Sequence, residues 1–137
     1  MIFVTRKMHF NAAHRVYQPN WSEEQNQACF GKCANANWHG HNYDLFVTVK
    51  GEINPDTGFV VDLNWMKKII EEHIIDVLDH KNLNLDVPFM KNKMASTEVL
   101  AVEIYNILQP LLAGDTYSLH GIKLVETERN FVEYFGN

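Results

Sequence analysis

Two stretches of alternating polarity set the terms for any fold this chain can adopt. Ile2, Val4, Met8, Phe10 and Ala12 hold even positions near the start, with Thr5, Lys7, His9 and Asn11 between them. From residue 41 the apolar positions are odd, Tyr43, Leu45, Val47 and Val49, set against Asn42, Asp44, Thr48 and Lys50. A period of two belongs to a strand with one buried face, so both stretches predict long strands of an antiparallel sheet. The phase matters for chemistry as well. One further step along the first alternation puts His14 on the apolar face, and His39 and His41 stand in phase with Tyr43.

Between these strands, residues 17–37 are polar, with Pro19-Asn20 and a Ser22-Glu23-Glu24 run, and predict a long loop or a loop with one helical turn. Asn54 to Gly58 is strong turn chemistry, expected to join the second strand to a short one, Phe59 to Val61, as a hairpin. Asp62 then caps a helix running from Leu63 to about Leu78, with Leu63, Met66, Ile70, Ile74 and Val77 at helical spacing. Ser96 opens a second helix, whose Leu100, Ile104 and Leu108 share one side and which Pro110 and Gly114 end. Leu119 to Thr127 and Asn130 to Phe135 predict two closing strands around Glu128-Arg129. The expected fold is therefore α+β: a four-stranded antiparallel sheet in the order β-β-α-α-β-β, with two helices on one face. At 137 residues, a single domain over 1–137 is expected. A sheet of this kind has two unpaired edges, which predicts that copies of the chain associate.

Charge and cysteine usage narrow the function. Twelve Lys and Arg against seventeen Asp and Glu give a net charge of -5, the wrong sign for a protein that neutralises a phosphate backbone, so no nucleic-acid partner is expected. No apolar run approaches the length of a membrane span and no targeting segment opens the sequence, so a soluble, cytoplasmic protein is expected. Cys29 and Cys33 are too few for a disulfide framework and read as thiols in a reducing compartment.

The chemistry-bearing residues each admit more than one reading. His39-Gly40-His41 places two imidazoles on one side of an extended chain, where they converge on an ion or simply serve loop hydrogen bonds. His14, on the neighbouring strand, supplies a third. Three neutral nitrogens with one open position are what catalytic zinc requires. Cys33 lies six residues before His39. As a fourth ligand it would close the site; as a nearby thiolate it would be a base or nucleophile; as a buried thiol it would be inert. Asp79 and His80 read either as polar chemistry or as plain helix-end chemistry, in which His80 and Lys81 complement the carbonyl end of the first helix. Glu126 follows Ile122 and Leu124 on one strand face, so its carboxylate needs a partner or a ligand, unless it faces solvent at the strand end.

Taken in order, Phe10-Asn-Ala-Ala-His14-Arg15, Phe30-Gly-Lys-Cys33, His39-Gly-His41-Asn-Tyr, Leu78-Asp-His80-Lys-Asn-Leu, Ser96-Thr-Glu98 and Val125-Glu126-Thr resemble the 6-pyruvoyltetrahydropterin and 6-carboxytetrahydropterin synthase family across nearly the whole chain. That resemblance implies a tunnelling fold whose subunits form trimeric barrels and then homohexamers, dimers of trimers. It implies Zn2+ held by His14, His39 and His41, with Cys33 as catalytic base. Asp79 and His80 would polarise the thiol, from a neighbouring subunit. Glu126 would grip the amino-pyrimidine edge of a pterin or join a charge relay, with Ser96 and Thr97 lining the same pocket. The implied substrate is the small molecule 7,8-dihydroneopterin triphosphate, which loses triphosphate through internal redox. Cys33 stands six before His39, as in pyruvoyl-forming members of the family. Trp38 departs from the small or aliphatic residue common before the first of the paired histidines. Two rival functions are a metal-free dihydroneopterin aldolase and a non-enzymatic oligomeric zinc-binding protein.

Overall fold

The computed structural model describes residues 1–137. In chain order its elements are β1 (Ile2–His14), α1 (Glu23–Phe30), β2 (His39–Gly51), α2 (Leu63–Ile70), α3 (Asp76–Leu78), β3 (Lys81–Asn82), α4 (Thr97–Leu108), β4 (Tyr117–Thr127) and β5 (Asn130–Tyr134). The two alternating stretches form long strands and pair antiparallel from Ile2 opposite Gly51 to His14 opposite His39. β4 pairs antiparallel with β2, and β5 with β4.

The sheet has five strands rather than the expected four, in the order β3-β1-β2-β4-β5. The extra one, β3, is a two-residue strand parallel to Ala12 and Ala13 of β1, too short to carry any alternation. The short strand expected at Phe59 to Val61 does not form. Its turn does close, with the Asn54 N–H donating to the Phe59 carbonyl at 2.7 Å. Both edges of β2 are already taken, by β1 and β4, so no ladder is open to a hairpin partner. Val60 and Val61 are buried instead as a lead into the Asp62 cap, whose carboxylate accepts from the N–H groups of Asn64 and Trp65.

All the core packs on one sheet face. Phe10, Tyr43, Leu45, Val47, Ile122 and Leu124 meet Ile70, Ile74, Leu100, Ile104 and Leu108 from the helices, nearly all fully buried. Each such side chain contributes about 1.5–3 kcal/mol through removal from water. The helix expected from Leu63 to Leu78 is not uniformly α-helical: between α2 and α3 it makes a π-helical turn, Glu71–Ile75. Its buried residues Met66, Ile70, Ile74 and Leu78 are each four apart. In an unbroken α-helix that spacing drifts about 40° per step, about 120° over three steps. The wider π turn absorbs the drift and returns Ile74 and Leu78 to the core line. It also puts Leu78, rather than the expected Val77, at full burial.

β4 carries a bulge. Gly121 faces Thr48 but Leu119 faces Val49, which leaves His120 unpaired between them. Leu119 and Ile122 can therefore both face the core although they are three positions apart. The His120 ring sits between Phe3 and Phe135, with centroids 4.7 and 5.3 Å away. No helix is long and apolar enough to cross a membrane.

Candidate active site

His14 ends β1 and His39 opens β2, directly opposite it in the ladder, with His41 two residues further on. The alternation that buries Phe10 and Tyr43 therefore also points all three imidazoles to the helix side of the sheet. The rings stand edge to face, with centroids 4.4 Å apart for His14 and His39, 5.1 Å for His14 and His41, and 5.0 Å for His39 and His41. One nitrogen from each lies within 4.8 Å of the others, so the group could hold a metal ion. Cys33 is not part of that group.

The donor set fits a metal on two further grounds. His14 is 1% exposed, and its Nδ1 donates to the Ala95 carbonyl at 2.7 Å, which fixes the tautomer and leaves the Nε2 lone pair free. That buried Nε2, and the buried Nδ1 of His39, have no hydrogen-bond partner in the protein. Buried polar atoms are rarely left so, and two of them within one cluster of three imidazoles imply something that they bind. Burial holds the His14 pKa below the ordinary imidazole range, with His39 and His41 pushing the same way against the Ala95 bond. Burial, and then His41, does the same to His39. Neutral imidazole is the form that binds metal, so protons compete weakly here.

These shifts predict how the metal-free protein responds to acid. Above the ordinary value of 6.5 both rings are neutral in folded and unfolded chains alike, and the shift contributes nothing to stability. Below it the unfolded chain takes up protons that the fold resists, so stability falls as pH falls. The thermal midpoint of metal-stripped protein is expected to drop between about pH 7 and about pH 5.5, above the range in which carboxylates titrate. Scanning calorimetry checks this, and a flat profile across that window contradicts it.

Glu126 continues the face of Ile122 and Leu124 and lies at a second bulge. Val125 faces Phe131 and Thr127 faces Asn130, so Glu126 is the unpaired residue of β4 at that point. Its carboxylate turns back toward the histidines, with Oε2 4.0 Å from His14 Nε2 and Oε1 3.9 Å from His41 Nε2. The Thr97 hydroxyl donates to Oε2. Ser96 is the N-cap of α4 and accepts from the Val99 N–H, which sets Thr97 at the first turn facing Glu126. Beneath them the Tyr43 hydroxyl is buried without a partner. Its burial and the nearby Glu126 charge drive its pKa far above the usual phenol value, so it stays protonated.

Cys33 lies in a 3-10 turn, Gly31–Ala34, and is exposed to a cavity of about 550 Å³ that Ser96, Thr97, Glu126, Arg129 and Phe131 also line. A cavity of that size suits a small molecule. Cys29, at the end of α1, opens onto it too. Asp79 and His80 do not reach Cys33 within the chain, for His80 lines a separate cavity beside Gly40 and His41. There Asp79 Oδ1 accepts from the Asn11 N–H at 2.9 Å, and Oδ2 lies 3.0 Å from His80 Nδ1. The Asn11 bond first, with His80 assisting, keeps the Asp79 pKa below the usual carboxylate range. His80 itself adopts a left-handed φ of 61°.

Trp38 also has a left-handed φ, 66°, which costs a bulky residue about 1–3 kcal/mol, and it does not line the Cys33 cavity. Sequence reasoning passed over Tyr43 as a site residue, Arg129 and the Ala95 carbonyl. Tyr43 was findable, being in phase with His41; nothing in the sequence marks the other two.

Residues 3–137 match the family described as 6-pyruvoyl tetrahydropterin synthase. The chain is 47% identical over 133 residues to the 6-pyruvoyl tetrahydrobiopterin synthase of Homo sapiens, covering 97% of this chain and 90% of that one. It is 31% identical over 111 residues to the 6-carboxy-5,6,7,8-tetrahydropterin synthase of Bacillus subtilis, covering 80% and 66%. The solved 6-pyruvoyl tetrahydropterin synthase of Caenorhabditis elegans superposes with a TM-score of 0.91 at 34% identity, covering 99% of this chain and 96% of that one. With the family matched along nearly its full length and the fold shared with a solved member, the chain belongs to the 6-pyruvoyl tetrahydropterin synthase family.

Proposed function

We infer that this protein is a zinc-dependent lyase that converts 7,8-dihydroneopterin triphosphate to 6-pyruvoyl tetrahydropterin with release of triphosphate. The observation that carries the reading is the convergence of three imidazoles, two with orphaned buried nitrogens, beside Glu126 and a cavity that exposes Cys33. The pyruvoyl product is favoured over the carboxy product by the spacing from Cys33 to His39. The higher identity to the human relative than to the bacterial one supports the same choice.

His14, His39 and His41 would hold the zinc, which when bound supplies Lewis acidity to the hydroxyls of the substrate side chain. Glu126 holds the amino-pyrimidine edge of the pterin, and Thr97 fixes the carboxylate by its hydrogen bond. Cys33 takes a carbon-bound proton from the side chain, and triphosphate leaves as the bonding electrons redistribute within the substrate, with no external oxidant or reductant. Asp79 orients His80, and the pair reaches the thiol of a neighbouring subunit in a homohexamer, a dimer of trimers. The sheet edges at β3 and β5 are the surfaces that such rings would cover.

The test is to incubate purified enzyme with 7,8-dihydroneopterin triphosphate and identify the products by mass spectrometry. A 6-pyruvoyl pterin is expected. A 6-carboxy pterin with acetaldehyde would overturn the product assignment, and no turnover by zinc-loaded protein would overturn the activity. Glu126→Gln is expected to weaken pterin binding by about 1–3 kcal/mol, the scale of a lost hydrogen bond to a charged group, with zinc content retained. Titration calorimetry checks this; unaltered affinity would make Glu126 a strand-end residue with no part in recognition.

A further inference from the structure

The turn that carries Cys33 has few restraints of its own. It is four residues long, its N-terminal end lacks a side-chain cap, and its first residue, Gly31, requires a left-handed φ of 57°. Beyond the Gly31 N–H bond to the Gln27 carbonyl and the Asn35 N–H bond to the Lys32 carbonyl, it is held by the chain just after β1. The Val16 N–H donates to the Cys33 carbonyl at 2.8 Å. Arg15 Nε donates to the Ala34 carbonyl at 2.8 Å, while its guanidinium lies over the Tyr17 ring, 3.8 Å from the centroid.

Arg15 is itself gripped. Its N–H donates to Asn84 Oδ1 at 2.9 Å, and Asn84 Nδ2 donates back to the Arg15 carbonyl at 2.9 Å. Asn84 is anchored in turn, its N–H donating to Asn82 Oδ1 at 2.9 Å while the neighbouring Leu83 N–H donates to the Ala13 carbonyl at 2.8 Å. A continuous set of hydrogen bonds thus runs from the β3 segment through β1 to the thiol-bearing turn.

The geometry points to Arg15 as a positioning residue for the Cys33 thiol, held to that task by Asn84. This rests on Cys33 acting as the base of the proposed reaction. The need for positioning follows from the chemistry, since a proton-abstracting group misplaced by about 1 Å can cost about 100-fold in rate. The need for arginine follows from its shape. A planar guanidinium can donate from Nε to Ala34 while its face lies on Tyr17, whereas a lysine ammonium has neither the donor at that position nor a face to stack.

Arg15→Lys and Asn84→Ala test the inference, each made alone and in combination with Cys33→Ala. Each single change is expected to lower kcat about 10- to 100-fold, with KM altered less than about twofold and zinc content retained. In the Cys33→Ala background neither change should lower the residual rate further, since the group it positions is gone. A wild-type kcat in both single variants would overturn the proposal. So would loss of zinc, which would place the effect at His14, or an equal loss of rate with and without Cys33, which would make Arg15 act independently of the thiol. Full turnover in Cys33→Ala alone would overturn it from the other side by removing the base. A failure of the base assignment is therefore distinguishable from a failure of positioning.

Discussion

Cys33→Ala is expected to lower turnover of 7,8-dihydroneopterin triphosphate by about 100-fold or more while zinc and substrate binding persist. The size follows from removing a positioned acid-base group, which typically contributes about 10²–10⁴ in rate. Retention of the metal follows from geometry, because the group that could hold a metal ion is three imidazoles without any sulfur. Cys29 is the internal control. It opens onto the same cavity from the end of α1, so a general effect of removing a thiol there would appear in both variants. Cys29→Ala should lose far less than Cys33→Ala. Steady-state kinetics with metal analysis of each variant decides the matter. Loss of zinc in Cys33→Ala would make the sulfur a ligand and the site a closed, structural one.

The second large effect is expected at His39. His14 is the poorer choice for mutation, because it is buried and its ring satisfies the Ala95 carbonyl, so its removal confounds metal loss with damage to the fold. His39 is only partly buried and sits at the entrance of β2, with a Nδ1 that no protein group satisfies. His39→Ala leaves two nitrogens where zinc needs three. Zinc affinity should fall by more than the roughly 10- to 100-fold that loss of an outer partner costs, and turnover should fall with it. Elemental analysis after dialysis, with calorimetric confirmation of an intact fold, reads this directly. A His39→Ala protein that keeps one zinc per chain would remove the three-imidazole assignment.

The legibility of this site in the sequence has a simple basis. Strand parity is a rigid rule, and the three histidines lie on two strands whose alternation is nearly unbroken, so their common face could be read before any coordinates. The same rule carried Glu126, because Ile122 and Leu124 set the phase just before it. Parity says nothing about bulges, however, and the one that leaves Glu126 unpaired against β5 has no signal in the sequence. Helix α1 was legible only as a loop with a turn, since it buries no apolar stripe, its one buried residue being Asn26. The Ser22 and Gln25 capping box was its one local signal. The π turn left no trace because a stripe spaced by fours resembles an ordinary amphipathic pattern until its drift is summed. β3 is set by Ala12 and Ala13 of another strand rather than by anything in Lys81 and Asn82.

The bulge at His120 leaves one residue of β4 outside the register. On either side of it the partners are already consecutive along β2, Leu119 with Val49 and Gly121 with Thr48. A chain lacking residue 120 could keep every other pairing and every other side chain on its present face, whereas a deletion elsewhere in the middle of β4 would invert part of the strand. The local twist of the sheet and the chemistry of its far end are thus separately adjustable. Sequence change at this one position can alter how the sheet curves without moving Glu126.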